Sequence, residues 1–121
     1  MNRSQTITVQ TEFDVFMARM QVRKLARTMG FDITNQARIA LATSSLARVL
    51  RLGEVHQGQV IIDRLGEKGL EGLRVACTAI TNADFEVGAR AFTDVQWLVD
   101  ELIVEDTPSH DVQITLIKWI V

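Results

Sequence analysis

The fold is decided by residues 22–52, which read VRKLARTMGFDITNQARIALATSSLARVLRL. Apolar side chains recur there at spacings of three and four on both sides of a Gly-Phe-Asp break, which is typical of two amphipathic helices joined by a short turn. The first helix extends back beyond this stretch, and we expect it to span Glu12–Met29 and to stop at Gly30. Its apolar side is formed by Val15, Ala18, Val22, Leu25, Ala26 and Met29.

The second helix is predicted over Asn35–Leu52, with Thr34 as its N-cap and Gly53 at its end. Small residues dominate one of its sides, where a seam is formed by Ala37, Ala40, Leu41, Ser44 and Ala47. Because small side chains let a helix approach its neighbour closely, we expect this side to pack against a helix or a sheet.

The segments around the helical pair show the alternation of β-strands. Gln5–Gln10 (QTITVQ) precedes the helices, and Gln59–Leu65 and Leu73–Ile80 follow them as two buried strands. Residues Gly66–Gly69 lie between the latter two and predict a hairpin turn.

The last third of the chain predicts one more helix and two more strands. The helix is expected over Val87–Leu102, and the strands over Ile103–Glu105 and Asp111–Val121. No repeat or linker interrupts the order, so residues 1–121 are predicted to form one α/β domain. We expect a two-layer sandwich in which about three helices cover one face of a mostly antiparallel mixed sheet.

Composition and charge narrow the classes of function. The apolar runs are far shorter than the ~20 residues that span a bilayer, and the first residues carry no apolar signal region, so we expect a cytoplasmic protein with no membrane partner. Residues 1–52 carry a charge of +5 and residues 53–121 a charge of −7, a polarity that can steer a charged partner or can simply reflect two solvated faces. The basic residues lack interleaved exposed aromatics and the whole chain is acidic, with a net charge of −2, so nucleic acid is not expected as a partner.

The helical pair also carries a phrase typical of one protein family. The matching positions are Arg23-Lys24, Ala26, Gly30-Phe31, Gln36-Ala37-Arg38-Ile39, Ala42 and Leu46-Ala47-Arg48. On these positions the chain resembles the anti-sigma-factor and RsbT-type serine kinases, a branch of the GHKL ATPases. The strand sequences GQVIIDRL and GLRVACTAI fall where that family has its central hairpin. The resemblance implies a GHKL (Bergerat-type) fold and a role in a partner-switching pathway.

The resemblance also implies where a nucleotide would bind, and the chain departs from the family there. Ser45 stands where the family has a glutamate proposed as general base, and Val49, one helical turn on, replaces the asparagine that ligates Mg²⁺. Ala79 replaces the aspartate that reads adenine, and Thr81 and Ala83 stand at the glycines of the following turn. Since Mg²⁺ demands oxygen ligands, we predict no catalytic residue and neither ATP nor magnesium as a cofactor.

The family's phosphate-binding segment has no room in this sequence. Between Asp84 and the predicted third helix there is only Phe85–Gly88, with one glycine. A mobile lid and a glycine-rich phosphate cradle need a longer segment. The resemblance therefore predicts a GHKL-like domain without an ATP lid.

Three functions stay open at this stage. The resemblance implies a protein-binding regulator whose partner is a STAS-domain antagonist, a sigma factor or a phosphatase, with a second copy bound through the N-terminal strand as a further option. An active serine/threonine kinase or ATPase with non-standard ligands and the regulatory part of a longer polypeptide are the alternatives. The candidate partner-binding residues are Arg19, Arg23, Arg27, Arg38 and Arg48, although the first three also suit a solvated helix face.

The remaining reactive side chains form no recognisable site. His56 and His110 have no acidic or cysteine neighbours at metal-ligand spacing, so no metal site is predicted. Cys77 lies in an apolar strand and is expected to be a buried core residue. Trp97 is flanked by Gln96 and Leu98 and is the better of the two tryptophans as a partly exposed anchor for a partner.

Overall fold

The computed structural model describes residues 4–67, 69–80, 92–106 and 111–120. The strands form one five-stranded sheet in the order β1-β2-β3-β5-β4. In chain order, the elements are β1 (Gln5–Val9), α1 (Glu12–Met29), α2 (Ile33–Val49), β2 (Gln57–Glu67), β3 (Leu70–Ile80), α3 (Thr93–Gln96), β4 (Glu101–Asp106) and β5 (Val112–Trp119). The predicted α/β two-layer architecture is confirmed.

The connection between β1 and β2 sets the direction of the sheet. Two helices lie between these strands, so α2 returns the chain to the end from which α1 started, and β2 runs back antiparallel to β1. A single crossover helix would instead have produced a parallel pair. Every strand pairing in the described residues is antiparallel, so this part of the sheet is not mixed.

The hydrophobic core lies between the helices and one face of the sheet. Burying a Val, Leu or Ile side chain contributes about 1.5–3 kcal/mol, so this layer is a principal source of stability. The sheet supplies Val60, Ile62, Leu73, Val75, Cys77, Ile114 and Leu116, and the helices supply Ala18, Val22, Ala26, Ile39, Ala42 and Leu46.

Helix α1 has the bounds that its sequence predicts. At its start, the Asp14 carboxylate accepts hydrogen bonds from the backbone N–H groups of Gln10 and Thr11, at 2.9 and 3.1 Å. These backbone hydrogen bonds lower the pKa of Asp14. At its end, Gly30 adopts a left-handed conformation with φ of 98°, which ends the helix as predicted.

Helix α2 starts and ends earlier than predicted. Thr34 is not its N-cap; the carboxylate of Asp32 accepts from the backbone N–H of Asn35 at 2.8 Å and fixes the start at Ile33. The helix ends at Val49, because Arg51 and Gly53 take positive φ angles of 54° and 80° that leave the helical conformation. An acidic side chain placed two residues earlier therefore replaced the predicted threonine cap.

The small-residue seam of α2 is only partly buried. Ala40 and Ala47 are buried, whereas Ala37 and Leu41 are exposed and Ser44 is intermediate. The buried side of the helix is formed instead by Gln36, Ile39, Ala40, Ala42, Thr43, Leu46 and Ala47. The predicted seam therefore shares only Ala40 and Ala47 with the buried side of the helix.

The predicted third helix is wrong over its second half. Helix α3 covers Thr93–Gln96, residues 87–91 lie outside the described residues, and a strand, β4, begins at Glu101. The backbone of Asp100 donates to the Ile117 carbonyl at 3.0 Å, and β4 then pairs with β5 from Glu101 onward. Pairing with a strand that follows later in the chain overrides the helical periodicity of this segment.

The remaining predicted strands are confirmed with small changes in length. Strands β2 and β3 form the predicted hairpin and pair down to Glu67 opposite Leu70. Gly66 and Glu67, predicted as part of the turn, belong to β2, and Gly69 has a φ of 82°. In β5, Ile114 and Leu116 face the core, as the alternation predicted. The alternate residues of β5 therefore lie on the face of the sheet opposite the helices.

Gly53 is a backbone position at which a single added methyl group would clash and would also be held at a positive φ. Its φ is +80°, and an added Cβ would lie 2.5 Å from the backbone carbonyl of Thr11. Gly53→Ala should therefore lower the free energy of unfolding by about 1–3 kcal/mol, measured by urea denaturation. Gly66→Ala is the control, since nothing lies within 4 Å of an added Cβ there. Equal unfolding midpoints for the two variants would contradict this prediction.

Candidate functional site

The helix-two positions implied by the resemblance lie one turn apart on α2. Ser45 and Val49 are both half-buried, and Val49 packs against the hydrophobic core. Only the Ser45 hydroxyl offers an oxygen atom at these two side chains. A valine side chain has no oxygen atom and cannot act as a ligand for a hard cation.

The strand position implied by the resemblance is part of the core. Ala79 is fully buried in β3, where its neighbours across the sheet are Gly58 and Val112. Its methyl group carries no polar atom that could read a purine. Thr81 and Ala83, and the segment of residues 84–88 that would hold a lid, lie outside the described residues.

The histidine and cysteine that the structure describes have local roles. The Nδ1 atom of His56 lies 3.0 Å from the Leu50 carbonyl oxygen, at the end of α2. Cys77 is completely buried, and this burial raises the pKa of its thiol to about 12. A thiol that stays protonated and inaccessible is not a nucleophile. Among the described residues, no group of three or more His, Cys, Asp or Glu side chains could hold a metal ion.

The candidate arginines are all exposed, but the structure separates them into different sites. Arg19 and Arg48 line one groove of about 280 Å³, between the start of α1 and the end of α2. Arg23 and Arg27 line a second groove of about 380 Å³ near Gln36 at the start of α2. The sequence placed Arg19, Arg23 and Arg27 in one stripe, whereas packing of the two helices divides it. Arg38 is exposed on α2, outside both sets of lining residues.

We name these two grooves by the arginines that distinguish them. The Arg48 groove is also lined by Arg51, by two carboxylates, Glu12 and Glu54, and by apolar residues that include Leu52. The Arg27 groove contains Arg23, Lys24 and Arg27 as its only charged lining residues among those described. Both grooves are therefore net positive, and the Arg27 groove is the more strongly so.

Three exposed apolar side chains on α1 were missed by the sequence analysis. Phe13, Phe16 and Met20 are 65, 54 and 50% exposed, and the two phenyl rings lie 6.4 Å apart between centroids. The sequence signal was available, since they recur at spacings of three and four, away from the apolar side that begins at Val15. Phe16 lines the Arg48 groove and Met20 lines the Arg27 groove. We call these three residues the α1 ridge.

Two other surfaces carry notable side chains. Trp97 follows α3 and is 82% exposed, in line with the prediction of an exposed tryptophan. On the sheet face opposite the helices, Arg74 pairs with the buried carboxylate of Asp63, with Nε 2.9 Å from Oδ1. This hydrogen bond raises the pKa of Arg74. The pair occupies both carboxylate oxygens and connects two neighbouring strands, which is a structural role.

Comparison with known proteins relates the chain to a bacterial kinase. No family model matches the sequence. Serine/threonine-protein kinase RsbT of Bacillus subtilis (strain 168) is 27% identical to it over 133 residues, which cover 99% of this chain and 99% of RsbT. The chain is similar to RsbT along its whole length. The similarity confirms the predicted likeness to RsbT-type proteins and extends it beyond the helical pair and the hairpin that suggested it.

Two further observations bear on the likeness to RsbT. The alignment with RsbT is longer than the 121-residue chain, so RsbT has residues with no counterpart here. Within the described part of the chain, none of the helices combines the length and the apolar character that a membrane crossing requires.

Burial of Cys77 predicts a pH dependence at the alkaline end. Its pKa rises from an ordinary value of 9.0 to about 12, so above pH 9 the unfolded chain ionises while the folded chain does not. The thiol's contribution to stability is fully present below pH 9 and is lost as the pH rises towards 12, by about 1.4 kcal/mol per pH unit. Urea midpoints from pH 8 to 11 should therefore fall more steeply for the parent chain than for Cys77→Ala. Parallel slopes would contradict this assignment.

Proposed function

We propose that this chain is a protein-binding regulator of a partner-switching pathway, built like an RsbT-type GHKL kinase but with a degenerate nucleotide site. The observation that carries the proposal is that apolar side chains, a half-buried Val49 packed against the core and a fully buried Ala79, stand at two positions where the resemblance expects polar ligands. The likeness to RsbT over the full length supports retention of the fold and of its binding surfaces.

The expected loss of binding free energy argues against ATP as a ligand of this chain. A missing metal ligand, a missing hydrogen bond to the base and a missing phosphate cradle each cost on the order of 1–3 kcal/mol. Because about 1.4 kcal/mol corresponds to a tenfold change in affinity, their sum takes a micromolar site beyond useful concentrations. The longer alignment with RsbT is consistent with a shortened lid, since residues of RsbT have no counterpart here. On this proposal neither ATP nor Mg²⁺ is a cofactor.

Protein binding is supported by the surface of the helical layer. The Arg48 and Arg27 grooves are basic and adjoin the α1 ridge, a combination of anchors and charge that protein partners recognise. The partner is proposed to be a STAS-domain antagonist, a sigma factor or a phosphatase, as in the pathways of RsbT-type kinases, and the site of action the cytoplasm. Arg19, Arg23, Arg27 and Arg48 are the proposed contacts, and Arg38 is a separate candidate on α2.

A second copy of the chain is a further proposed partner. Strand β1 lies at one edge of the sheet, and its residues Gln5–Val9 carry no charge, whereas the other edge strand, β4, carries Glu101 and Glu105. Charged side chains protect an edge strand from pairing, and β1 lacks them. Sedimentation analysis tests this point: a monomer mass at all concentrations would contradict it.

A residual serine/threonine kinase is the second candidate function. It is favoured by the name of the relative, a serine/threonine-protein kinase, and by the half-buried Ser45 hydroxyl at the position of the family base. A hydroxyl group can accept or donate a hydrogen bond but cannot replace a carboxylate as a general base at neutral pH.

Calorimetric titration with ATP and Mg²⁺ separates the two functions. We expect no heat of binding up to millimolar nucleotide, because the described positions offer neither a metal ligand nor a base-reading carboxylate. RsbT under the same conditions is the positive control. A magnesium-dependent dissociation constant in the micromolar range would remove the regulator proposal in favour of the kinase.

A further inference from the structure

We propose that the α1 ridge is the binding site for an acidic amphipathic helix of the protein partner. This inference rests on the proposed protein-binding function and deepens it, because it names the chemistry of the partner segment. It is carried by exposed apolar side chains bordered by two basic grooves, and it does not depend on the state of the nucleotide site.

The ridge is an apolar surface with the spacing of a helix. Phe13, Phe16 and Met20 follow each other at three and four residues, which puts them on one face of α1, and each is at least half exposed. Ala18, Val22 and Ala26 bury the opposite face in the core. In a two-layer fold a helix buries one face against the rest of the protein, so the second apolar face of α1 stays exposed. Exposed apolar patches mark contact sites.

The charges beside the ridge select an acidic occupant. Along the first half of α1 the ridge borders the Arg48 groove, with Arg19 and Arg48, and along the second half it borders the Arg27 groove, with Arg23 and Arg27. A helix with one apolar stripe and flanking Asp or Glu residues would bury its stripe on the ridge. Its carboxylates would then reach guanidinium groups on the groove walls.

The length of the surface sets the length of the segment. From Phe13 to Arg27 the helix rises about 21 Å at 1.5 Å per residue. A partner helix lying along this surface therefore needs about 14 residues, or four turns. Three or four apolar anchors at helical spacing fit the ridge, and acidic side chains are required beyond Met20, where the charged residues that line the groove are all basic.

Two other occupants fit the surface less well. A second copy related by a two-fold axis would bring the basic grooves of both chains together, which like charges oppose. An anionic membrane would be attracted by the arginines, but its uniform surface would also meet Glu12 and Glu54 of the Arg48 groove. A helical segment avoids this repulsion, because it can place its acidic residues beyond Met20, against the Arg27 groove. Both occupants are outcomes of the experiment below.

The test uses the full chain and a labelled 18-residue peptide with leucines at helical spacing of three and four and glutamates at its other positions. Fluorescence anisotropy at low salt should show binding at least tenfold tighter than that of a peptide of the same composition in scrambled order. A version with lysine in place of glutamate should not bind, because the groove charges would then be repelled.

Matched substitutions locate the site. Phe16→Ser combined with Met20→Ser should weaken binding at least tenfold, and Arg23→Glu combined with Arg27→Glu should do the same. The controls are Leu70→Ser and Arg64→Glu, which change an exposed apolar and an exposed basic residue on the β2–β3 hairpin and should leave binding unchanged. Thermal unfolding of each variant checks that the fold is retained, as expected for surface positions.

Each outcome that would contradict the helix-binding site can be distinguished from failure of the proposed regulator function. Equal binding of the ordered and scrambled peptides, or equal loss in the controls, would overturn the helix site. Binding to vesicles containing phosphatidylserine that Phe16→Ser and Met20→Ser abolish would assign the ridge to a membrane. Self-association abolished by the same pair would assign it to a second copy. The nucleotide titration is independent of all three results.

Discussion

Packing of α1 and α2 together against one face of the sheet is the constraint on which the rest of the structure depends. Because the connection from β1 to β2 contains two helices, β2 runs antiparallel to β1. The pairs β2–β3, β3–β5 and β5–β4 are antiparallel as well. The buried residues of α1, α2 and the sheet form one continuous core. Each helix can bury only one face in this arrangement, so the other faces remain available for function.

The same packing explains why the region around Val49 and Ala79 differs from the outer face of α1. On α2, Val49 packs against the core at the position where the resemblance implies a magnesium ligand, and on β3 Ala79 stands where the resemblance implies the residue that reads adenine. On α1, the outer face retains Phe13, Phe16 and Met20 beside basic side chains. Apolar residues thus occur at the positions where the resemblance implies polar nucleotide ligands, and exposed apolar residues occur on the outer face of α1.

Much of the helical layer could be predicted because its signals are local. The spacing of Val15, Ala18 and Val22 fixes the inner face of α1, and Gly30 supplies the left-handed residue that ends it. The cap of α2 was predicted at Thr34 but lies at Asp32, since two neighbouring residues could each accept the hydrogen bond and sequence alone does not rank them. The separation of the arginine stripe into two grooves could not be predicted, because α2 supplies part of both walls.

The sequence by itself determined the helical pair, the β2–β3 hairpin, the alternation of the last strand and the likeness to RsbT-type proteins. Only the tertiary structure decided that α3 ends at Gln96, that the strand predicted at Ile103–Glu105 begins already at Glu101, and that Phe13, Phe16 and Met20 stay exposed. The physical reason is the range of the interactions. Caps, turns and periodicity act within a few residues, whereas a strand needs a partner strand and exposure depends on which face of a helix its neighbours leave uncovered.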